Sequence, residues 1–207
     1  ATLYAAREPQ GPGLILLHEL GGNRHRWEPF AVRAQRAGYH CLAIDLRGHG
    51  ESTTQHVRRL TYRNFTRDDW LAVRQDIDAA KHALLDQGAD PDNLALVGAS
   101  IGANLALHYA VDNYDIQAVV LVSPGLDYKG VKTETEIAAY GKRPVLLMSA
   151  EGDAYATASC AALNNAAVGL CELRQYPGAA HGADLFAAST SATEQVFLWL
   201  VPIIGPN

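Results

Sequence analysis

Cysteine is scarce, with 3 in 207 residues, and neither a Cys-x-x-Cys pair nor a zinc-type Cys/His spacing is present, which excludes a disulfide scaffold and a structural zinc site. Cys41 falls inside an apolar, strand-like run and reads as a core thiol. Cys160 and Cys171 are the pair that would bridge in an oxidising compartment. No apolar stretch approaches the ~20 residues of a membrane span, so none is expected. Basic blocks are lacking too: 17 Lys and Arg face 22 Asp and Glu, for a net charge of -5. Without a run of cations to follow a phosphate backbone, nucleic-acid binding is disfavoured, and Arg24, Arg26, Arg58 and Arg59 read as solvated charges. His18, His25, His40 and His49 have no ligand spacing, and His18-Glu19 does not continue into His-Glu-x-x-His, so neither a metal nor an organic cofactor is expected. No repeat, low-complexity tract or linker divides residues 1–207, which are expected to form one domain. The chain opens on Ala1 with no signal-peptide pattern, which reads as a processed or trimmed form and leaves the compartment open between cytoplasm and export. Oligomeric state is not encoded in any pattern visible here.

What is present is an ordinary globular balance, 48 % hydrophobic and 19 % charged, in a chain long enough to bury roughly 70 % of its unfolded surface. Apolar runs of strand length occur at Leu14 to Leu17, Tyr39 to Ile44, Leu94 to Val97, Ile116 to Val122, Val145 to Met148 and Cys171 to Tyr176. Most are separated by helix-compatible segments, and several are continuous rather than alternating, as expected of parallel strands covered on both faces. The expected fold is therefore α/β: a three-layer sandwich around a mostly parallel sheet of about six or more strands. A helix is predicted after Thr66-Arg67-Asp68-Asp69, with Trp70, Val73, Ile77, Ala80 and Leu84 on one face, Thr66 or Asp68 as cap, and Gly88 and Pro91 as the stop. Another is predicted from about Ala183 to Leu200, ended by Pro202. Only about twenty residues separate the runs ending at Val122 and starting at Val145, too few for a helical cap, so a site on this fold is expected to be open.

Residues 94 to 104 carry the chemistry. An apolar run ends in Gly98-Ala99-Ser100-Ile101-Gly102 and passes straight into a helical pattern in which Ile101, Leu105, Leu107 and Tyr109 form an apolar face. Gly-x-Ser-x-Gly at a strand-to-helix junction is the spelling of a nucleophile elbow, where the serine sits on a sharp, strained turn. Side chains two residues to either side would strike neighbouring chain. The plainer alternative is a glycine-flanked serine in an unremarkable turn. A serine hydroxyl needs a base, an acid to orient that base, and donors for the oxyanion. Asp153 and His181 follow later strands, in Ala150-Glu151-Gly152-Asp153 and Ala180-His181-Gly182, and loops beyond parallel strands converge on one sheet edge. Glu151 is the alternative orienting acid, and Asp184 is expected to bond near His181 or cap the last helix. Ile101 and Leu20 are the expected oxyanion-hole amides, Leu20 from the glycine-containing loop His18-Glu19-Leu20-Gly21-Gly22-Asn23. Trp27, Tyr62, Trp70, Tyr128 and Tyr155 are candidate pocket walls, with core burial the competing role for each.

The elbow, Asp153, His181 and the loop from His18 to Gly22 together resemble the α/β-hydrolase fold family over nearly the whole chain. The stretch Asp45-Leu46-Arg47-Gly48-His49-Gly50 is similar to this family's Asp-x-Arg-Gly-x-Gly loop beside the pocket, which implies structural roles for Asp45 and Arg47. The capless layout is similar to the dienelactone hydrolase branch and to small bacterial carboxylesterases. Glu19 after the loop histidine also resembles that branch, and the resemblance implies a carboxylate near the nucleophile that bonds the resting hydroxyl or contacts a polar substrate group. Dienelactone hydrolases place cysteine where this chain has Ser100. The strands preceding the family's core are represented only by Thr2 to Ala5. The expected function is a serine carboxylesterase acting on small short-acyl esters through an acyl-enzyme, with lactone, thioester or peptide hydrolysis by the same residues as the first alternative. A catalytically silent binding protein on the same fold is the non-enzymatic one.

Overall fold

The computed structural model describes residues 1–206. Its centre is a seven-stranded sheet built from β1 (Thr2–Tyr4), β2 (Gly13–Leu17), β3 (His40–Ile44), β6 (Leu94–Ala99), β7 (Ile116–Val122), β10 (Val145–Ala150) and β11 (Cys171–Tyr176), in the order β1-β3-β2-β6-β7-β10-β11. Six strands are parallel, and β1 alone runs antiparallel on the β3 edge. The six predicted apolar runs are these six parallel strands, with small shifts at their ends. Two-stranded ribbons, β4 (Thr54–Gln55) with β5 (Arg58–Arg59) and β8 (Asp127–Tyr128) with β9 (Val131–Lys132), decorate the loops.

Because successive side chains point to opposite faces, the uniformly apolar strands feed two cores. Ile15 and Leu17 pack with Trp70, Ile77, Leu105 and Leu163 on one face, beneath α2 (Arg67–Leu71), α3 (Arg74–Asp86), α4 (Ile101–Asp112), α5 (Glu134–Ala139) and α6 (Ala154–Ala166). Leu14 and Leu16 pack with Trp27, Phe30, Val196 and Trp199 on the other, beneath α1 (Glu28–Arg36), α7 (Asp184–Ala188) and α8 (Thr190–Ile204). Each fully buried side chain of this size contributes about 1.5–3 kcal/mol, so the three-layer order follows directly from the unbroken apolar runs. Between β7 and β10 lie only the β8–β9 ribbon and the six-residue α5, and no helical cap domain is inserted there.

Three expectations need correction. The helix after Thr66 is two helices. Thr66 caps α2 in a reciprocal box with Asp69, but the N–H groups of Val73 and Gln75 then donate to the carbonyls three residues back, at Trp70 and Ala72, and the chain turns before α3 begins. The terminal helix is likewise divided, by Ser189 in extended conformation (φ -137°, ψ 107°). Pro202 does not end it, since α8 continues to Ile204. The N–H that proline lacks would have bonded the Leu198 carbonyl, on a residue 66 % exposed, where water replaces the bond at little cost. Cys160 and Cys171, whose pairing the sequence leaves open, are free thiols, as is the buried Cys41. Burial pushes the Cys160 thiol up to about 12 and the Cys171 thiol to about 11, so both stay protonated at neutral pH. No helix among the described residues is long and apolar enough to cross a membrane.

Candidate active site

Ser100 links β6 to α4 with φ 54° and ψ -120°, a left-handed backbone that non-glycine residues rarely adopt. The strain is held by close packing on both sides. A Cβ on Gly98 would lie 2.3 Å from the Gly102 carbonyl oxygen, and one on Gly102 would lie 2.3 Å from the Leu17 carbonyl oxygen at the end of β2. Only glycines allow α4 to start this close to the sheet. The Ser100 amide donates to the Val122 carbonyl (2.8 Å), which ties the turn to β7.

Asp153 follows β10 and caps α6, where Oδ1 accepts the Ala156 amide at 3.4 Å. Its other oxygen, Oδ2, lies 2.6 Å from His181 Nδ1, so the ring carries its proton on Nδ1 and leaves Nε2 free to accept. Glu151, the alternative acid, is exposed and engages the β11 end only through its backbone amide, which donates to the Tyr176 carbonyl at 2.8 Å. Asp184 neither caps the last helix nor reaches His181; it pairs with Arg26 (2.6 Å). The His181 side chain is 42 % exposed, so the site opens to solvent as the short loop between β7 and β10 implied. Among the described residues no hydrogen bond yet joins Ser100 to His181, a link that commonly tightens only when substrate arrives.

The loop after β2 is shaped by a neutral, fully buried histidine. His18 lies with Nδ1 2.7 Å from the Glu19 carbonyl and accepts the Leu46 amide on Nε2 at 3.1 Å, which fixes the tautomer. The Gly22 amide closes the turn onto the Glu19 carbonyl (3.0 Å), while the Leu20 amide takes no such partner. The Ile101 amide, first in α4, has no intrahelical acceptor. Glu19 does not bond the serine. Its Oε1 takes the Arg26 guanidinium at 2.6 Å, and its Oε2, buried and unpartnered, faces Gly182. Arg26 bridges Glu19 and Asp184 and so engages one oxygen of the carboxylate the family resemblance placed beside the nucleophile.

Asp45 and Arg47 are structural. Asp45 accepts the Arg24 and Glu51 amides (2.7 and 2.9 Å) and pairs with the Arg24 guanidinium. Burial opposes its charge, but these donors hold it below the usual carboxylate range. Arg47 grips Asp76 with Nε and Nη2 at 2.9 and 2.7 Å.

One residue near Ser100 escaped the sequence reading, and one candidate wall is placed beside the histidine. Ser123, buried at φ 50° just past β7, accepts the Gly182 amide on Oγ at 3.0 Å and so anchors the His181 loop. Tyr128, named only as a possible wall, stands edge-on to the His181 ring (6.4 Å between centroids). Burial pushes its phenol up to about 12, with the adjoining Ser100 hydroxyl pulling the other way. Its ribbon is held by buried Asn104 of α4, which donates to the Gly125 and Val131 carbonyls (2.9 and 2.7 Å) and accepts the Gly125 amide (3.1 Å). Of the other aromatics, Tyr155 packs on Tyr128, whereas Trp27 is core, against Phe30 and Phe186.

His49 supplies a prediction. Its buried ring stacks on Tyr62 (4.0 Å) and meets His18 edge-on (4.9 Å). Burial, reinforced by His18, lowers its pKa to about 4 although the Arg47 carbonyl favours the charged form. The unfolded chain takes up this proton near pH 6.5 and the folded chain only near 4, so His49 stabilises the fold above pH 6.5 and that contribution is lost as pH falls toward 4. The loss is on the order of 3 kcal/mol. Urea midpoints at pH 7, 5 and 4 should fall more steeply for the native protein than for His49→Gln; parallel curves would contradict the assignment.

A parallel sheet with a strained serine at a strand-to-helix turn, and an Asp–His pair delivered by two later loops, defines the architecture of α/β hydrolases. The profile of the alpha/beta hydrolase fold matches residues 12–159, and the chain belongs to that family. It is 31 % identical over 129 residues to the quorum-quenching protein AidA of Acinetobacter baumannii, covering 61 % of this chain and 40 % of that protein. It is also 31 % identical over 105 residues to protein phosphatase methylesterase 1 of Bos taurus, covering 50 % and 25 %. The matches thus span less than half the length of these relatives. Among solved structures, a monoacylglycerol lipase of Paleococcus ferrophilus superposes with TM-score 0.77 at 17 % identity, over 97 % of each chain, which is a likeness of fold.

Proposed function

We propose that the protein is a serine carboxylesterase cleaving small, short-acyl esters through an acyl-enzyme. The observation that carries this reading is the 2.6 Å contact between Asp153 and His181 on the sheet edge where Ser100 is held in strained geometry. Ser100 Oγ attacks the ester carbonyl while His181 Nε2 takes its proton. The Leu20 and Ile101 amides receive the oxyanion, and the alcohol departs with the proton from His181. His181 then deprotonates a water that attacks the acyl-enzyme and frees the acid, restoring Ser100. Asp153 keeps the imidazole in the working tautomer and offsets its positive charge. Relatives named as esterases favour ester over peptide cleavage. Serine in place of cysteine favours simple esters over the dienelactones of the branch whose loop it resembles, and with Glu19 paired to Arg26 rather than to Ser100 that likeness is one of loop sequence. Tyr128 stands edge-on to the histidine with Tyr155 packed on it, an aromatic wall on one side of a site otherwise open to solvent. A p-nitrophenyl ester series tests the reading: kcat/KM should peak at short chains and decline with length. A steady rise to long chains, or turnover of lactones alone, would overturn it.

A further inference from the structure

Beside Leu20 lies a cavity of about 210 Å³ lined by Leu20, Tyr62, Arg63, Phe65, Trp70 and Lys129. It adjoins the oxyanion loop directly, since a Cβ on Gly21 would sit 3.2 Å from the Tyr62 hydroxyl. Its floor is aromatic and rigid: Tyr62 is stacked on buried His49, and Phe65 meets Trp70 edge-on at 5.3 Å. Its charged groups are two cations, Arg63 and Lys129. Neither Arg63 nor Lys129 enters an ion pair among the described residues, although Asp and Glu outnumber Lys and Arg in the chain. Arg63 instead lies 5.8 Å from the Tyr62 ring centroid. Lys129 occupies the tip of the β8–β9 ribbon at φ 56°, followed by Gly130 at φ 82°. Two consecutive left-handed residues in a two-residue turn favour Asn-Gly, so lysine here carries a backbone cost that its fold role does not require. The same ribbon presents Tyr128 to Ser100, so the ammonium is one residue from a side chain of the reaction site. Arg67 adds a third uncompensated cation nearby, with Nε spent on the Gly130 carbonyl (3.0 Å).

We propose that this cavity is an anion subsite, and that the preferred ester carries a carboxylate on the part remote from the reacting carbonyl. Its methylene chain lies over Tyr62 and Phe65, and its carboxylate lies between Arg63 and Lys129. The inference rests on the serine-esterase reading and narrows its substrate class. Cations at a solvent-facing rim contribute modestly, so the expected preference is about tenfold rather than thousands.

The test compares kcat/KM for mono-p-nitrophenyl adipate and p-nitrophenyl hexanoate, with enzyme-free rates subtracted. The native protein should favour the adipate about tenfold at low ionic strength, and about 0.5 M NaCl should shrink that ratio. The ratio should fall to about one in Arg63→Gln/Lys129→Gln and below one in Arg63→Glu/Lys129→Glu. As a ratio within one protein, it is insensitive to partial loss of folded enzyme. If the native protein cleaves both esters without favouring the adipate, or if the preference survives in the double variants, the subsite is overturned while the esterase reading stands. If neither ester is cleaved and Ser100 takes no covalent label, the esterase reading itself fails, and the subsite with it.

Discussion

Ser100→Ala is expected to abolish ester turnover, with kcat lower by on the order of 10⁴-fold or more, while far-UV circular dichroism and the urea midpoint stay close to the native values. The size follows from the proposed mechanism: without Oγ no acyl-enzyme would form, and the amides of Leu20 and Ile101, as the proposed oxyanion donors, would be left to stabilise direct attack by water. Preservation of the fold follows from the packing. Ser100 is held at φ 54° by its amide bond to Val122 and by the fit of Gly98 and Gly102 against neighbouring backbone, none of which uses the hydroxyl. A variant retaining more than a few per cent of native kcat would place the nucleophile elsewhere.

Asp153→Asn is expected to cost about 10³- to 10⁴-fold in kcat at neutral pH. An amide in place of Oδ2 turns its N–H toward His181 Nδ1 and favours the tautomer with the proton on Nε2, the nitrogen proposed to accept from Ser100. Asparagine keeps an oxygen for the Ala156 amide, so the cap of α6 and the stability of the fold should survive. Glu151→Gln, two residues away and exposed, should stay within about twofold of native activity, because surface substitutions of this kind shift energies by only a few tenths of a kcal/mol. Steady-state kinetics on the two variants decides between the two acids. The opposite ranking would exchange their roles.

Much of the fold, and the placing of the candidate site's residues on one sheet edge, is legible in the sequence because it rests on local rules. Continuous apolar runs such as Ile116–Val122 can be buried only by layers on both faces, and Gly98-Ala99-Ser100-Ile101-Gly102 spells out the steric demands of a tight strand-to-helix turn. What escaped depends on contacts between distant residues. The β8–β9 ribbon has two residues per strand, too few to show a period, and it is placed by Asn104, a side chain on a helix 21 residues earlier. Ser123 looks like any residue after a strand until the Gly182 amide, 59 positions later, settles on its hydroxyl. The pairing of Glu19 with Arg26, likewise, is a matter of how the single helical turn Arg24–Trp27 is seated, which no spacing encodes. The break at Val73 is hidden because the spacing Trp70, Val73, Ile77 continues across it; that at Ser189 lies in the small, polar stretch Ser189 to Thr193, which carries no apolar spacing to mark a boundary, and the contradiction at Pro202 arises because its missing bond falls on an exposed turn.

The central claim is that loops far apart in the chain turn the Ser100 hydroxyl into a nucleophile. Intact-mass spectrometry after incubation with a fluorophosphonate tests it most directly. The native protein should gain one adduct per chain, mapped by peptide sequencing to Ser100 and missing from Ser100→Ala, with His181→Ala labelled orders of magnitude more slowly. A folded native protein that gains no adduct, or gains it on another residue, would contradict the account.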